Sequence, residues 1–285
     1  MIPAAFAYRR AASVDEALQL LGEADGDARL LAGGHSLLPA MKLRLDRPGT
    51  LIDISRIDEL SAIKESGGGV CIGAAATHER IAGCDLIGSR APLVAAAAAV
   101  IGDVQVRNKG TIGGSVAHAD PAADYPAALL ASDAVIHVRG SSGSRQVAAA
   151  DFFVDLYATA LEEGEIVTAV EVPDQGGAGS SYQKFPHPAS RFAVCGAAVA
   201  VATDGGRCTG ARVALNGVAA AAFRDAGVEA ALQGATLDAA TIEAASAKAA
   251  DGRELLCDMF ADEDYRRHLA KVFVRRALTA AAGEG

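Results

Sequence analysis

Two short stretches of the sequence place adjacent glycines beside small polar residues, a pattern that can hold an anionic group. The first, LLAGGHSLLP at residues 30–39, ends a short apolar run in Gly33 and Gly34. The second, TIGGSVAHADPAADYP at residues 111–126, repeats the paired glycines and adds two aspartates. Consecutive backbone N–H groups at a turn bind phosphate well, and glycine allows both the backbone conformation and close approach. The first stretch therefore predicts a phosphate site.

Neither stretch fits a common nucleotide-binding fingerprint, so a plain tight turn remains the alternative for each. The order of glycines matches neither G-x-G-x-x-G nor G-x-x-x-x-G-K-[ST], which argues against a Rossmann fold and a P-loop. Asp120 and Asp124, four residues apart in the second stretch, would suit ribose hydroxyls or ring N–H groups. Their alternative role is to cap or end the following helix.

Composition limits the classes of protein to which the chain can belong. Its 285 residues suffice for two domains. The most apolar stretch, at 91–102, is shorter than the roughly 20 residues of a membrane span. The amino-terminal residues lack a signal-peptide pattern, so we expect a cytoplasmic protein. The net charge of -9 argues against a nucleic-acid partner. Five scattered cysteines without C-x-x-C predict no iron–sulfur or metal site on this chain.

The elements that must position these stretches alternate between short strands and helices. A helix is predicted to start at Ser13, with Glu16 in a capping box, and to run to about Gly22. Strands are predicted within 28–34, 50–55, 68–77, 134–140, 144–153, 165–173, 191–203 and 207–219, and helices within 77–84, 91–102 and from 223 onward. A hairpin turn is expected at 204–206. The basic residues at 265–276 are predicted to form a solvated helix face.

The motifs resemble those of the FAD-binding medium subunits of molybdenum hydroxylases, the xanthine dehydrogenase and carbon monoxide dehydrogenase family. The resemblance rests on LAGGHSLLPAMKLRL, IGDVQVRNKGTIGGSVAHADPAADYPAALLA and YQKFPHPASRFAV, in that order, and covers essentially the whole chain. It implies an α+β fold with a two-subdomain FAD-binding domain of the PCMH/vanillyl-alcohol-oxidase-like type at 1–176, divided at about 55/56. A small C-terminal domain of the CO dehydrogenase flavoprotein type, with an antiparallel sheet and helices, would occupy 177–285.

The resemblance also implies a set of FAD-binding residues and neither a catalytic nor a metal-binding residue. The first stretch would wrap the pyrophosphate, and the second would follow the cofactor. The implied residues are Ala32, Gly33, Gly34, His35, Ser36, Leu37, Ile101, Thr111, Gly113, Gly114, Ser115, His118, Asp120, Asp124, Val167 and Lys184. Ser115 stands where the family usually has Asn, which has a longer reach. Taken singly, His35 and His118 could be turn histidines and Lys184 a solvated lysine.

The function implied by the resemblance is electron transfer within an oxidoreductase complex. A large subunit would hold molybdopterin, and a small subunit would hold two [2Fe-2S] clusters that pass electrons to FAD on this chain. The electrons would leave to an external acceptor, in an assembly that pairs two heterotrimers. The alternatives are a stand-alone flavin reductase of related fold and a nucleotide-binding structural subunit without redox turnover.

Overall fold

The computed structural model describes residues 1–283, which contain three sheets of three or more strands and a short two-stranded ribbon. The strands are β1 Ala7–Arg10, β2 Ala28–Leu31, β3 Thr50–Asp53, β4 Ile63–Ser66, β5 Gly69–Gly73, β6 Val135–Gly140, β7 Gly143–Ala148, β8 Phe153–Asp155, β9 Ala158–Thr159, β10 Ile166–Val172, β11 Gly179–Pro186, β12 Ala193–Asp204, β13 Arg207–Asn216 and β14 Phe223–Arg224.

Helices cover the sheets and fill the space between them. They are α1 Val14–Glu23, α2 Leu37–Lys42, α3 Asp58–Ser61, α4 His78–Ala82, α5 Asp85–Arg90, α6 Pro92–Ala99, α7 Val104–Arg107, α8 Ile112–His118, α9 Tyr125–Ala131, α10 Ala149–Phe152, α11 Ala226–Leu232, α12 Ala239–Ser246 and α13 Glu263–Ala281. The predicted combination of an α+β fold with a C-terminal antiparallel sheet and helices is confirmed.

The N-terminal sheet is parallel and has the strand order β1-β3-β2. Helix α1 leads from β1 into β2, and the Ser13 hydroxyl accepts a hydrogen bond from the Glu16 N–H, as the capping box predicts. The Glu16 carboxylate returns to the N–H of Ala12 instead of that of Ser13. Strand β1 was not predicted, because its side chains are exposed and its AYRR sequence lacks alternation.

The second sheet is antiparallel, with the order β4-β5-β10-β6-β7. Helices α6 and α9 pack on the C-terminal sheet and share one buried core with this second sheet, and α8 packs on β10. Alanine dominates α6, and Ala97 and Ala98 are fully buried there, so small side chains allow the helix to pack closely within this core. One continuous core therefore joins the two halves of the chain, because Tyr182, from the C-terminal half, is part of it.

The C-terminal sheet has the order β11-β12-β13-β14, and helix α13 packs on its other face. Strands β12 and β13 pair antiparallel around Gly205 and Gly206, both with positive φ, which confirms the predicted hairpin. The prediction that the chain is helical from residue 223 onward is wrong at its start, because Phe223 and Arg224 form the short strand β14. The solvated face predicted for 265–276 is wrong at Arg266, which is 4% exposed and donates to Val194 O and Gly217 O.

Two other predictions need correction. The strand predicted over 144–153 ends at Ala148, where the chain enters α10, and only resumes extended structure at β8. The second glycine stretch is not a plain tight turn, because residues 112–118 form helix α8. Thr111 caps that helix, and its hydroxyl accepts a hydrogen bond from the Gly114 N–H. Sequence periodicity could not reveal so short a helix built of small residues.

Candidate functional site

A cavity of about 560 Å³ lies where the two glycine stretches meet. Small-molecule sites commonly have volumes of roughly 300–1,000 Å³. The segments that wall it are the β2–α2 turn, the segment from Ile101 to Val106, the stretch from Gly110 to Asp124, the start of β10 and the loop at 190–192. All sixteen residues of the predicted site line this cavity except Lys184, which lies behind its wall.

The first stretch presents backbone hydrogen-bond donors to the cavity. From Gly33 to Leu37, five consecutive N–H groups donate no hydrogen bond within residues 1–283. Ser36 occupies the position before α2, and its hydroxyl caps no N–H group of that helix. Successive free N–H groups of this kind form a concave anion site. The segment can therefore bind a phosphate or pyrophosphate group without any charged side chain.

The two glycines of this stretch are required for different reasons. A Cβ on Gly33 would overlap the carbonyl oxygen of Lys109 and come within 2.8 Å of the Gly110 Cα, so here the two stretches touch backbone to backbone. Gly34 has φ +74°, a left-handed conformation that glycine adopts without strain. Gly33 thus holds the two stretches together, while Gly34 turns the chain so that the following N–H groups face the cavity.

The second stretch uses its N–H groups internally. Those of Ile112, Gly113 and Ser115 donate to Ala76 O, Ala74 O and Thr111 O. With the Gly114 N–H bound to the Thr111 hydroxyl, all four successive donors are satisfied by the protein itself. This stretch is therefore not a second anion site made of free backbone donors.

The two glycines of the second stretch have different roles: one allows close packing, and the other leaves space at the cavity wall. A Cβ on Gly113 would overlap Ala74, whereas one on Gly114 would meet only the Thr111 hydroxyl oxygen at 2.9 Å. Gly113 is buried against Ala74, which follows β5, and Gly114 and Ser115 lie on the cavity wall. The bare surface at Gly114 leaves room for a planar or extended ligand to lie against the start of α8.

Asp124 is the most buried acidic group of the cavity wall. Its carboxylate accepts hydrogen bonds from the Lys184 ammonium at 2.8 Å and from the Tyr182 hydroxyl at 2.6 Å. Burial raises the pKa of Asp124, and the positive charge of Lys184 opposes this shift. Although it precedes α9, its side chain makes no capping hydrogen bond, so the helix-cap alternative does not describe it.

Lys184 is not a solvated lysine, because its side chain is 6% exposed. Besides Asp124, its ammonium donates to Val100 O at the end of α6. Cations are stabilised near the carbonyl end of a helix. The lysine thus connects the C-terminal sheet to two segments of the cavity wall, and its place behind the wall means that it reaches a ligand only through Asp124.

A hydrogen-bond network extends from Asp124 into the C-terminal sheet. The Tyr182 hydroxyl has one hydrogen, which it donates to Asp124, and its oxygen lies 3.2 Å from the side-chain amide of Asn216. The physically consistent orientation of that amide has the NH₂ group donating to the tyrosine oxygen, which also satisfies an otherwise unpaired buried nitrogen. A Cβ on Gly196 would overlap both groups, so glycine is needed there.

His118 and Asp120 lie at the rim of the cavity beside the β8–β9 ribbon. The rings of His118 and Tyr157 are 5.2 Å apart, and the Tyr157 hydroxyl is 3.3 Å from the Asp120 carboxylate. Asp120 also accepts a hydrogen bond from the Ala122 N–H, which shapes the turn before α9. Both residues therefore carry structural contacts in addition to facing the cavity.

Sequence reasoning missed part of the cavity wall. His78 lies inside a predicted helix and has no predicted role, and Ser190, Arg191 and Phe192 belong to the third motif without a predicted role of their own. The signal for the loop was its proline-flanked position within that motif, and Arg191 adopts φ +61° there. No local signal marks His78, because its place on the wall depends on the pairing of residues 77 and 111.

Comparison with known proteins identifies the class to which this fold and cavity belong. Residues 4–175 match the family described as FAD binding domain in molybdopterin dehydrogenase, and residues 180–281 match the CO dehydrogenase flavoprotein C-terminal domain. The chain belongs to this family of FAD-binding medium subunits of molybdenum-dependent dehydrogenases, so it is an oxidoreductase subunit that carries FAD.

Individual relatives extend over nearly the whole chain. The carbon monoxide dehydrogenase medium chain of Hydrogenophaga pseudoflava is 42% identical, over 99% of this chain and 98% of its own length. The glyceraldehyde dehydrogenase medium chain of Sulfolobus acidocaldarius is 38% identical, over 99% of this chain and 100% of its own length. Quinoline 2-oxidoreductase from Pseudomonas putida 86 superposes with a TM-score of 0.95 at 35% identity, covering 100% of this chain and 99% of that one.

Residues 1–283 lack two other kinds of feature. No group of three or more His, Cys, Asp or Glu side chains is arranged to hold a metal ion. None of the helices in this part of the chain has the length and apolar character needed to cross a membrane.

Proposed function

We propose that this chain binds one FAD across the cavity and serves as the electron-transferring subunit of its complex. The observation that carries the proposal is the run of five free N–H groups from Gly33 to Leu37, which fits a pyrophosphate. The small residues of the second stretch and the buried carboxylate of Asp124 fit the rest of a dinucleotide. When bound, FAD supplies a redox centre that this chain's side chains lack.

The chain's own residues would divide the binding as follows. Residues 32–37 hold the pyrophosphate through the backbone and the Ser36 hydroxyl. The wall from Thr111 to Ser115 excludes water and gives the cofactor a surface to lie against, with Ile101 and Val167 as apolar contacts. His118 and Asp120 close the rim, while Lys184 and Tyr182 keep the Asp124 carboxylate oriented. The cofactor site would lie mainly in a domain at 1–176, divided near 55/56, with a second domain from 177.

The partners in this proposal are a small subunit with two [2Fe-2S] clusters, a large molybdopterin subunit and an external electron acceptor. The relatives support a complex, because their names describe medium chains. Exposed apolar residues beside the cavity rim support protein contacts there: Leu156 is 49% exposed and Phe192 is 44% exposed. We infer that two heterotrimers pair in the assembly.

The substrate would be selected by a different chain of the complex. The relatives are named for carbon monoxide, glyceraldehyde and quinoline, yet they share this fold. A cavity wall common to such different reactions is expected to hold the cofactor that they share. We therefore assign no organic substrate to the cavity described above.

Isolating the single chain tests the proposed function. We expect one FAD per chain, bleaching of the flavin absorbance by dithionite, and no oxidation of CO, aldehydes or N-heterocycles. Activity should appear only after reconstitution with the two partner subunits, whereas iron and molybdenum should be absent from the lone chain by elemental analysis. Turnover of any of these substrates by the lone chain would favour the stand-alone reductase. A folded chain that binds no FAD would favour the structural subunit.

A further inference from the structure

His78 occupies a buried position where the two glycine stretches cross. It is 5% exposed, begins α4, and its backbone N–H donates to Gly110 O. A Cβ on Gly110 would lie 2.5 Å from the His78 Nε2 atom, so the absence of a side chain at Gly110 makes room for the imidazole ring. Gly33 in turn packs against Gly110. The ring therefore lies beside the backbone contact that joins the two stretches.

Tyr125 determines which imidazole nitrogen carries the hydrogen. Tyr125 is fully buried, and its hydroxyl lies 3.1 Å from His78 Nδ1, its partner within residues 1–283. If Nδ1 donated, the buried tyrosine hydrogen would be left without an acceptor, which costs about 1–3 kcal/mol. The favoured arrangement has Tyr125 donating to Nδ1, so the hydrogen of the neutral ring is on Nε2.

The Nε2 atom of His78 has no protein partner among the described residues. His78 lines the cavity together with Gly34, His35 and Gly110, and Nε2 makes no hydrogen bond to any of the 283 described residues. The Nε2 atom also retains some solvent-accessible surface, so a ligand can reach it. Burial lowers the pKa of His78 to about 4, and the charges of His35 and Arg107 add to this effect. At neutral pH the ring is an uncharged donor.

We propose that His78 is a further cofactor-binding residue, which donates its Nε2 hydrogen to a pyrophosphate oxygen held by residues 33–37. This inference rests on the proposed function, and it adds a side-chain donor from α4 to a site otherwise made of backbone. The crossing of Gly33 and Gly110 places the ring beside the first stretch, which favours the pyrophosphate over the adenine or flavin ring. Tyr125 is a positioning residue, because it acts only by fixing the tautomer.

Binding measurements on the FAD-free full chain test this assignment. His78→Phe keeps an aromatic ring but removes the donor, whereas His78→Gln keeps an N–H donor at similar reach. We expect His78→Phe to weaken FAD and ADP binding roughly 10- to 100-fold, as for a lost hydrogen bond to a charged group. His78→Gln should stay within about threefold of the native chain, and Tyr125→Phe should fall between the two.

A control variant and a control ligand test whether the effect is specific to His78 and to the pyrophosphate. His137→Phe alters a histidine of β6 that pairs with Glu171 and does not line the cavity, so it should leave FAD binding unchanged. ADP carries the pyrophosphate and AMP does not, so AMP affinity should hardly respond to His78→Phe. Near-ultraviolet circular dichroism verifies that each variant is folded.

Distinct results would overturn the proposal. If folded His78→Phe binds FAD as the native chain does, His78 is not a ligand. If FAD affinity falls but ADP affinity does not, the donor reaches another part of the cofactor. If His78→Gln loses as much affinity as His78→Phe, ring shape matters and the donor does not. Failure of the native chain to bind FAD would instead contradict the proposed function.

Discussion

The stretches at 33–37 and 111–115 share paired glycines and small polar residues, but they use their backbones in opposite ways. In the first, five N–H groups have no partner within the described chain. In the second, the N–H groups from Ile112 to Ser115 are all bound by the protein. The first stretch can therefore attract an anion, whereas the second can only shape the wall against which a ligand lies.

The difference shows that adjacent glycines do not by themselves indicate a phosphate site. Gly34 has a left-handed φ that turns the chain, so that N–H groups are left free. At Gly113 glycine is needed because Ala74 occupies the space that a Cβ would fill. Both uses require glycine, but one serves ligand binding and the other serves packing. Variants that separate charge, volume and hydrogen bonding can test whether the two stretches differ in this way.

The largest effect is expected for Gly34→Asp. The new side chain would start against Leu31 and Leu38, in the same turn as the free N–H groups. Its negative charge in a poorly screened cavity should repel the pyrophosphate and abolish FAD retention through gel filtration. Gly34→Asn is the matched control, since asparagine has the same shape, tolerates the left-handed conformation and carries no charge. It should retain most of the FAD. Equal loss in both variants would show that strain, and not charge, excludes the cofactor.

Gly113→Ala and Gly114→Ala separate packing from the cavity wall. The Gly113 methyl would overlap Ala74, so we expect the free energy of unfolding of the FAD-free chain to fall by about 1–3 kcal/mol. The Gly114 methyl meets one hydroxyl oxygen and should weaken FAD binding more than it lowers stability. Urea unfolding and flavin titration measure the two effects, and the reverse order would contradict the assignment.

The acid dependence of stability tests the buried state of His78, where the two stretches meet. Its pKa is about 4 in the folded chain and roughly 6.5 when unfolded. The unfolded state therefore takes up the proton first as the pH falls, so folding is destabilised below about pH 6.5. Between pH 7 and 5 this contribution is roughly 2 kcal/mol. Measured by urea unfolding, the free energy of unfolding of His78→Gln should therefore fall less between pH 7 and 5 than that of the native chain. An identical fall in both chains would contradict the buried, neutral state of His78.

The smallest effects come from paired hydroxyl changes. Thr111→Val removes the acceptor of the Gly114 N–H and should cost about 1 kcal/mol of stability, with little change in FAD affinity. Ser36 makes no capping bond, so Ser36→Ala should leave stability unchanged and weaken FAD binding a few-fold. Thermal unfolding and flavin titration distinguish the pair. Identical behaviour of the two variants would remove the contrast between the stretches.

The sequence predicted much of the fold because most strands carry apolar runs bounded by glycine or proline. Strand β12, for example, reads as a nearly continuous apolar segment and is buried along most of its length. Strand β1 and helix α8 were missed, because exposed residues in one and small residues in the other give no periodic signal. The burial of Arg266 depends on carbonyl groups about 50 and 72 residues away.

The cavity could be predicted only in part for the same physical reason. Residues 32–37 carry a local signal, since paired glycines after an apolar run indicate a turn, but the pattern does not reveal whether the N–H groups of that turn are free. The role of Lys184 depends on Asp124, which lies 60 residues earlier in the chain. His78 faces the cavity because of its contacts with Gly110 and Tyr125. Such pairings between distant segments appear only once the chain is folded.

Amide hydrogen exchange, with and without bound FAD, tests the contrast between the two stretches most directly. In the FAD-free chain, the amides of residues 33–37 should exchange rapidly, and those of residues 112–115 should already be protected. Binding of FAD should protect the first group strongly and change the second group little. Protection of residues 33–37 before FAD is added, or no change in their exchange on binding, would contradict the assignment of the pyrophosphate to this backbone.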